Sequence, residues 1–189
     1  AAEEMKERIS KLVSSKQLAV CSKMQEVRSQ LSSLWIGTFH SICLRLLRRY
    51  GQLIGFRNDF YIYDKGDQLS LIKECVKELN INEEQYSMNS IGSRISYLKG
   101  RLVTPQQFAM QSHGFGIDDK VLKVYRLYED KLKKNNAMDF DDLIMKCVNL
   151  FENNTELLSR YQETFRYILV DEYQDTNPSQ YKLIQLLAG

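Results

Sequence analysis

Prolines and closely spaced metal ligands are scarce in this sequence. Only two prolines occur among 189 residues, which favours a largely helical chain because proline interrupts helices. The four cysteines stand far apart and only two histidines accompany them, so no Cys-x-x-Cys or Cys/His spacing predicts a metal site. We therefore expect reduced cysteines and a cytoplasmic setting.

Long hydrophobic runs and an excess of one charge are also missing. No apolar run approaches the roughly 18 to 20 residues of a bilayer-spanning helix, and no signal-peptide pattern opens the chain, so we expect no membrane partner. The net charge is only +2, because 24 acidic side chains nearly balance 26 basic ones. Any nucleic-acid contact must therefore come from local clusters of charge.

Helical periodicity dominates from about residue 42 to about residue 163. Apolar residues recur there at three- and four-residue spacing, which predicts amphipathic helices. Thr104, Pro105 and Gln107 have the order of an N-cap, a first-turn proline and a capping-box glutamine, so a helix is predicted to begin there. The pattern recurs from Asn177. The pattern of residues 1–12 predicts a further helix, and residues 58–63 are predicted to form a loop.

Two short apolar runs predict buried β-strands. Leu34–Phe39 leads into the polar residues His40 and Ser41, and Tyr167–Val170 ends abruptly at Asp171 and Glu172. Strand, loop and helix at both ends of a mostly helical chain predict an α/β fold, predominantly α-helical, whose parallel sheet is interrupted by a helical insertion.

Asp171 and Glu172 are the first candidate catalytic residues. Ligands of parallel sheets gather at the carboxyl ends of the strands, where a carboxylate such as Asp171 can serve Mg²⁺ as a ligand. Glu172 can then orient and deprotonate the water that attacks a γ-phosphate. The alternative is that the two acids only end a strand and solvate a loop.

The residues around Thr38 are candidates for nucleic-acid contact. Hydroxyls and amides at a helix N-terminus suit phosphate oxygens, and Phe39 or His40 can stack on a base. Arg45 and its neighbours Arg48 and Arg49 give the helix a basic face. The alternative is that Thr38 caps the helix, Phe39 belongs to the core and the arginines are simply solvated.

Several longer strings resemble the UvrD/Rep/PcrA group of superfamily 1 DNA helicases. VDEYQDTN with the following PSQYKLIQLLAG resembles the family's Asp-Glu motif, and IGTFHS resembles the block that lines the single-stranded DNA path. AAEEMKERI is similar to the end of another block whose Thr-Asn-Lys half is missing here. ISYLKGR resembles a stretch of the family's helical insertion. MDFDDL is also similar, although a helix capped by Asp139 accounts for it.

The resemblance implies an internal fragment of an ATP-dependent 3′ to 5′ DNA helicase or translocase of DNA repair or replication, and we expect both chain ends to lie within that longer protein. Its implied cofactors are Mg²⁺ and ATP, and its implied partners are single-stranded DNA and single/double-strand junctions. Residues 1–41 and 154–189 would form a partial RecA-like ATPase domain around a helical subdomain at 42–153.

The resemblance also assigns individual residues. Asp171 would hold Mg²⁺, and Glu172 and Gln174 would complete the catalytic set, with Asp171 and Glu172 facing the nucleotide. The residues that it implies to contact DNA are Thr38, His40 and Ser41, and Lys99 and Arg101 are weaker candidates. Phe39 and Arg45 are DNA-binding candidates from their chemistry, as argued above.

The sequence lacks a phosphate-binding loop. None of its nine glycines begins a G-x-x-x-x-G-K-[ST] string, so we expect poor ATP binding and no hydrolysis by this chain alone. Strands missing from the sheet would leave an edge open to self-association. Two alternatives stay open: a helicase-nuclease subunit that processes double-strand breaks, and a non-enzymatic DNA- or partner-binding helical module.

Overall fold

The computed structural model describes residues 7, 8, 11, 34–82, 87–111 and 117–189. The chain divides into two compact units, Ala1–Arg45 and Leu46–Gly189. Most of the helix predicted over residues 1–12 lies outside the described residues, but Glu7, Arg8 and Lys11 are helical. No helix among the residues that the structure describes is long and apolar enough to cross a membrane.

Residues 34–38 do not form the predicted strand. They are bends and irregular backbone, and helix α1 (Phe39–Tyr50) follows directly. The prediction of a strand over Leu34–Phe39 is therefore wrong. A strand requires hydrogen-bonded neighbours, and no strand in the described part of the chain pairs with this segment.

The second unit is built mainly of helices. Its helices are α2 (Lys65–Glu78), α3 (Met88–Gly100), α4 (Pro105–Gln111), α5 (Ile117–Lys134), α6 (Phe140–Glu152), α7 (Thr155–Thr164) and α8 (Pro178–Ala188), with 3₁₀ turns at Gly51–Ile54 and Tyr173–Asp175. Strands β1 (Tyr61–Tyr63) and β2 (Ala137–Asp139) complete it. The predicted α/β, mostly helical fold is confirmed.

The two strands form a small parallel sheet. Tyr61 pairs with Ala137, and Tyr63 pairs with Asp139 at the other end of the register. The loop predicted over residues 58–63 therefore contains a strand. Strand β2 is completely buried and leads directly into α6, so the sheet fixes where that helix begins.

Helix starts follow the predicted capping chemistry. Asn177 and Gln180 form a reciprocal capping box before α8, and Thr104 and Gln107 exchange the equivalent hydrogen bonds before α4 at 3.2 and 2.9 Å. Asp139 and Asp142 form a third box at the start of α6, as the sequence predicted for Asp139. These bonds satisfy amides that the first helical turn leaves without partners.

The main core lies between α2, α3 and α5. Its apolar side chains include Ile72, Ile91, Ile95, Tyr125 and Tyr128, all of which are almost completely buried. Helix α6 packs against α3, α7 and α8. Helix α8 therefore packs against the same group of helices.

Tyr167–Val170 is not a strand. The backbone there is irregular, and Tyr167 and Leu169 are 92% and 98% exposed. The prediction that this run is buried on both faces is wrong for this chain. An apolar strand of a parallel sheet needs cover from both sides, and neither described strand pairs with this run.

Candidate functional site

The predicted catalytic residues lie in residues 165–177, which we call the acidic segment. It connects α7 to α8 and contains the 3₁₀ turn at Tyr173–Asp175. Asp171, Glu172 and Gln174 are all exposed. Glu172 has φ 49° and ψ 44°, which is the left-handed conformation. This conformation is energetically unfavourable for residues other than glycine. The segment therefore turns sharply between the two acids and the helix.

Local hydrogen bonds connect Asp171, Glu172 and Gln174. The Glu172 amide donates to Asp171 Oδ1 at 3.1 Å, and the Gln174 side-chain amide donates to Glu172 Oε2. The Asp175 amide closes the turn by donating to the Glu172 carbonyl at 2.9 Å. The turn thus places two carboxylates beside each other with a side-chain amide on the second one.

The residue types in the acidic segment suit Mg²⁺ but do not enclose it. No cluster of three or more histidine, cysteine, aspartate or glutamate side chains with metal-site geometry occurs among the described residues. Mg²⁺ commonly takes only one or two carboxylates and completes its shell with water and phosphate oxygens. An exposed carboxylate such as Asp171 fits this mode of binding.

The candidate DNA residues at 38–41 sit at the N-terminus of α1. Thr38 Oγ1 accepts the Ser41 amide at 3.2 Å, and the Ser41 hydroxyl donates to the Thr38 carbonyl at 2.8 Å. Thr38 therefore caps the helix and Ser41 donates back to it, yet both remain exposed, while Phe39 and His40 are half-buried. A Cβ at Gly37 would lie 2.3 Å from Ser41 Oγ, so a side chain there would displace the Ser41 hydroxyl from its present position.

The arginines of α1 divide into different roles. Arg45 is exposed and its guanidinium lies 4.0 Å from the centre of the Trp35 ring. Arg48, in the second unit, donates to the Asn58 carbonyl at 2.8 Å and covers the Phe60 ring. The Arg48 side chain thus makes contacts that stabilise the second unit. Sequence reasoning missed Trp35, although it is the only tryptophan in the chain.

Lys99 does not lie on a surface. Its side chain is 0% exposed, and its ammonium contacts Glu129, Asp139 and Asp142. The expectation that Lys99 contacts DNA conflicts with this placement, because a buried ammonium has no face to offer a strand. Lys99 follows Ile91 and Ile95 at four-residue spacing, which places it on the buried face of α3. This spacing in the sequence could have predicted that Lys99 is buried.

We call Lys99, Glu129, Asp139, Asp142 and Lys146 the Lys99 cluster. Burial opposes the charge on Lys99, but Asp139, Asp142 and Glu129 together hold the pKa of its ammonium well above the ordinary value. Burial also favours neutral acids, yet the lysines keep the pKa of Glu129 and that of Asp139 below their usual range. The cluster is therefore a buried network of opposite charges.

Comparison with known sequences identifies the family of the chain. The family model described as UvrD/REP helicase N-terminal domain matches residues 1–189. The chain therefore belongs to the UvrD/REP helicase family, as its motifs indicated.

Individual relatives give the same result. The chain is 43% identical over 189 residues to an ATP-dependent DNA helicase PcrA of Staphylococcus aureus, with 100% of this chain and 24% of the relative covered. It is 42% identical over 188 residues to an ATP-dependent DNA helicase PcrA of Bacillus subtilis, with 100% and 23% covered. The chain spans about a quarter of the length of the curated relatives it matches.

Proposed function

We propose that this chain is part of the ATP-binding half of an ATP-dependent DNA helicase that moves 3′ to 5′ along single-stranded DNA in repair or replication. Family membership and the relatives named ATP-dependent DNA helicase support the reaction class. The structural observation that carries the proposal is the left-handed turn at Glu172, which holds two exposed carboxylates side by side. Strained backbone of this kind is concentrated at functional sites.

In the proposed reaction Asp171 supplies a carboxylate oxygen to the metal, directly or through water. Glu172 orients the attacking water and accepts its proton. Gln174 donates a hydrogen bond to Glu172 Oε2 and so fixes the direction in which that carboxylate faces. Mg²⁺, when bound with ATP, offsets the charge that develops on the transferred phosphoryl group.

The proposed DNA contacts are on the first unit. Thr38 and Ser41 offer exposed hydroxyls at the start of α1, and Phe39 and His40 lie between them. Arg45, held against Trp35 at 4.0 Å, adds a cation that can pair with phosphate. Single-stranded DNA, and junctions of single- and double-stranded DNA, are the proposed partners of these residues.

The proposed domain organisation assigns residues 1–41 and 154–189 to a discontinuous RecA-like domain and residues 42–153 to an inserted helical subdomain. The part of the helicase outside this chain would contribute the phosphate-binding loop, which this sequence does not contain. We therefore propose that the isolated chain is inactive. A background rate in ATPase assays of the chain alone is the expected result.

The decisive experiment is Glu172→Gln in the full-length protein that contains this chain. Loss of the general base should reduce DNA-stimulated ATP hydrolysis on the order of 100-fold to 10,000-fold, while nucleotide binding measured by equilibrium titration is retained. Glu163→Gln, at an exposed glutamate of α7, is the matched control and should hydrolyse ATP at the wild-type rate. Wild-type turnover by the Glu172 variant would disprove the assignment.

A further inference from the structure

The Lys99 cluster holds three carboxylates but only two ammonium groups. Lys99 and Lys146 provide the positive charges, and Glu129, Asp139 and Asp142 provide the negative ones. Lys99, Asp139 and Asp142 are 0–2% exposed at the side chain, and Glu129 is 18% exposed. An unbalanced charge in such a site is costly because the interior solvates it poorly.

The distances show which carboxylate is paired least well. Glu129 contacts both lysines, with its oxygens 2.6 Å from Lys99 Nζ and 2.7 Å from Lys146 Nζ. Asp142 Oδ1 lies farther from the same two ammonium groups, at 3.0 and 3.7 Å. Glu129 therefore has the stronger ion pairs of the two.

Asp139 also accepts more and shorter hydrogen bonds than Asp142. Its Oδ2 accepts from Lys99 at 2.8 Å and from the Tyr128 hydroxyl at 2.8 Å, and its Oδ1 accepts the Asp142 amide at 2.8 Å. Three hydrogen bonds to the charged form stabilise that form. Asp142, by contrast, accepts the Asp139 amide at the longer distance of 3.3 Å.

We propose that the Lys99 cluster is a proton-binding site: the folded chain holds one proton on the Asp142 carboxylate and loses stability when that proton leaves. With Asp142 neutral, two carboxylates balance two ammonium groups. Consistent with this geometry, burial and the adjacent Asp139 raise the pKa of Asp142 to about 7, although Lys99 opposes the shift. The inference does not depend on the proposed helicase activity.

A cavity gives the proton a path to solvent. It has a volume of about 420 Å³, and Glu129, Asp142 and Lys146 line it. The other charged residues on its wall are Arg126, Asp130 and Lys133. The groups that act on Asp142 thus come from β2, α3, α5 and α6, namely Asp139, Lys99, Glu129 and Lys146.

The direction of the pH effect follows from the shifted pKa. The pKa of Asp142 rises from an ordinary 3.8 to about 7 on folding, so the folded chain binds the proton more tightly than the unfolded chain. The stabilisation by this proton is complete below the unfolded pKa and is lost as pH rises towards the folded value. Between pH 5 and 7, the folding equilibrium constant therefore falls by up to about tenfold for each unit that the pH rises, because the folded chain holds one more proton than the unfolded chain.

The test is urea unfolding of the 189-residue chain at pH 5, 6, 7 and 8, together with two variants. Wild type should lose stability from pH 5 to 7 and then change little. Asp142→Asn should abolish most of this dependence, because its neutral amide replaces the protonated acid. Asp130→Asn, which removes a carboxylate from the wall of the same cavity, should keep the wild-type dependence.

A second measurement covers the case in which Asp142→Asn does not fold. Carbon NMR of the side-chain carboxyl groups in the wild-type chain should show Asp142 titrating with a midpoint near neutral pH. A midpoint below pH 5 would overturn the proposal. A pH dependence of stability that is equal in wild type and in a folded Asp142→Asn variant would also overturn it.

Discussion

The Lys99 cluster and the acidic segment place carboxylates in opposite surroundings. In the cluster every charged group lies against a group of opposite charge, and Lys99 is completely buried. In the acidic segment Asp171 and Glu172 are exposed, and two of the apolar residues before them, Tyr167 and Leu169, are exposed as well. Acids thus stabilise the fold in one region and remain available to a ligand in the other.

This difference teaches that the helical body surrounds its charged side chains with groups of opposite charge from several elements, whereas the acidic segment leaves its carboxylates and some of its apolar side chains exposed. The cluster draws its partners from α3, α5, α6 and β2, all within the second unit. The acidic segment has a left-handed turn and uncovered apolar side chains. Substitutions should therefore affect stability strongly in the first region and weakly in the second.

The largest effect is expected from Lys99→Met. The change leaves three buried carboxylates with a single lysine, and removal of one partner from a buried ion pair costs about 3 to 5 kcal/mol. Urea unfolding at pH 7 measures it. Lys77→Met, at an exposed position of α2, should leave the free energy of unfolding nearly unchanged. Equal stability of the two variants would contradict the contrast between the regions.

Asn177→Ala should have an intermediate effect. Its side chain accepts the Gln180 amide at 2.9 Å and caps α8, and loss of such a cap typically costs about 1 kcal/mol. Ser87→Ala is the control, because Ser87 occupies the N-cap position of α3 without a side-chain capping bond. Chemical unfolding that shows the same loss for both variants would refute the importance of this cap.

The smallest effect on stability is expected from Leu169→Lys. Because the side chain is 98% exposed, the free energy of unfolding should change by less than about 0.5 kcal/mol. We propose that the uncovered apolar run lets the chain self-associate, so the added charge should weaken that association, which light scattering over a range of concentrations would detect. Leu53→Lys, at another exposed leucine, should leave association unchanged; an equal decrease would argue against pairing through residues 167–170.

Local chemistry could be predicted from the sequence. The caps at Thr104, Asp139 and Asn177 depend on residues no more than three positions apart. The local sequence is therefore sufficient to predict them. The adjacency of Asp171 and Glu172 is likewise a property of the chain itself. These features do not depend on what lies across the fold.

Features that need distant partners were predicted less well. The runs 34–39 and 167–170 have the composition of strands, but strand formation depends on neighbours that the local pattern does not specify. The real sheet joins β1 and β2, two segments of three residues separated by more than 70 positions. Lys99 was misplaced because a lysine is rarely buried unless it is paired, and its partners lie on α5, α6 and β2.

Asp139 shows how closely the helical body is interconnected. The same residue ends β2, caps α6 through the Asp142 amide and accepts a hydrogen bond from Lys99. An exchange of this aspartate would consequently alter a strand, a helix start and an ion pair in a single step. Redesign of the subdomain would have to replace all three contacts together, so the junction is a poor site for gradual variation.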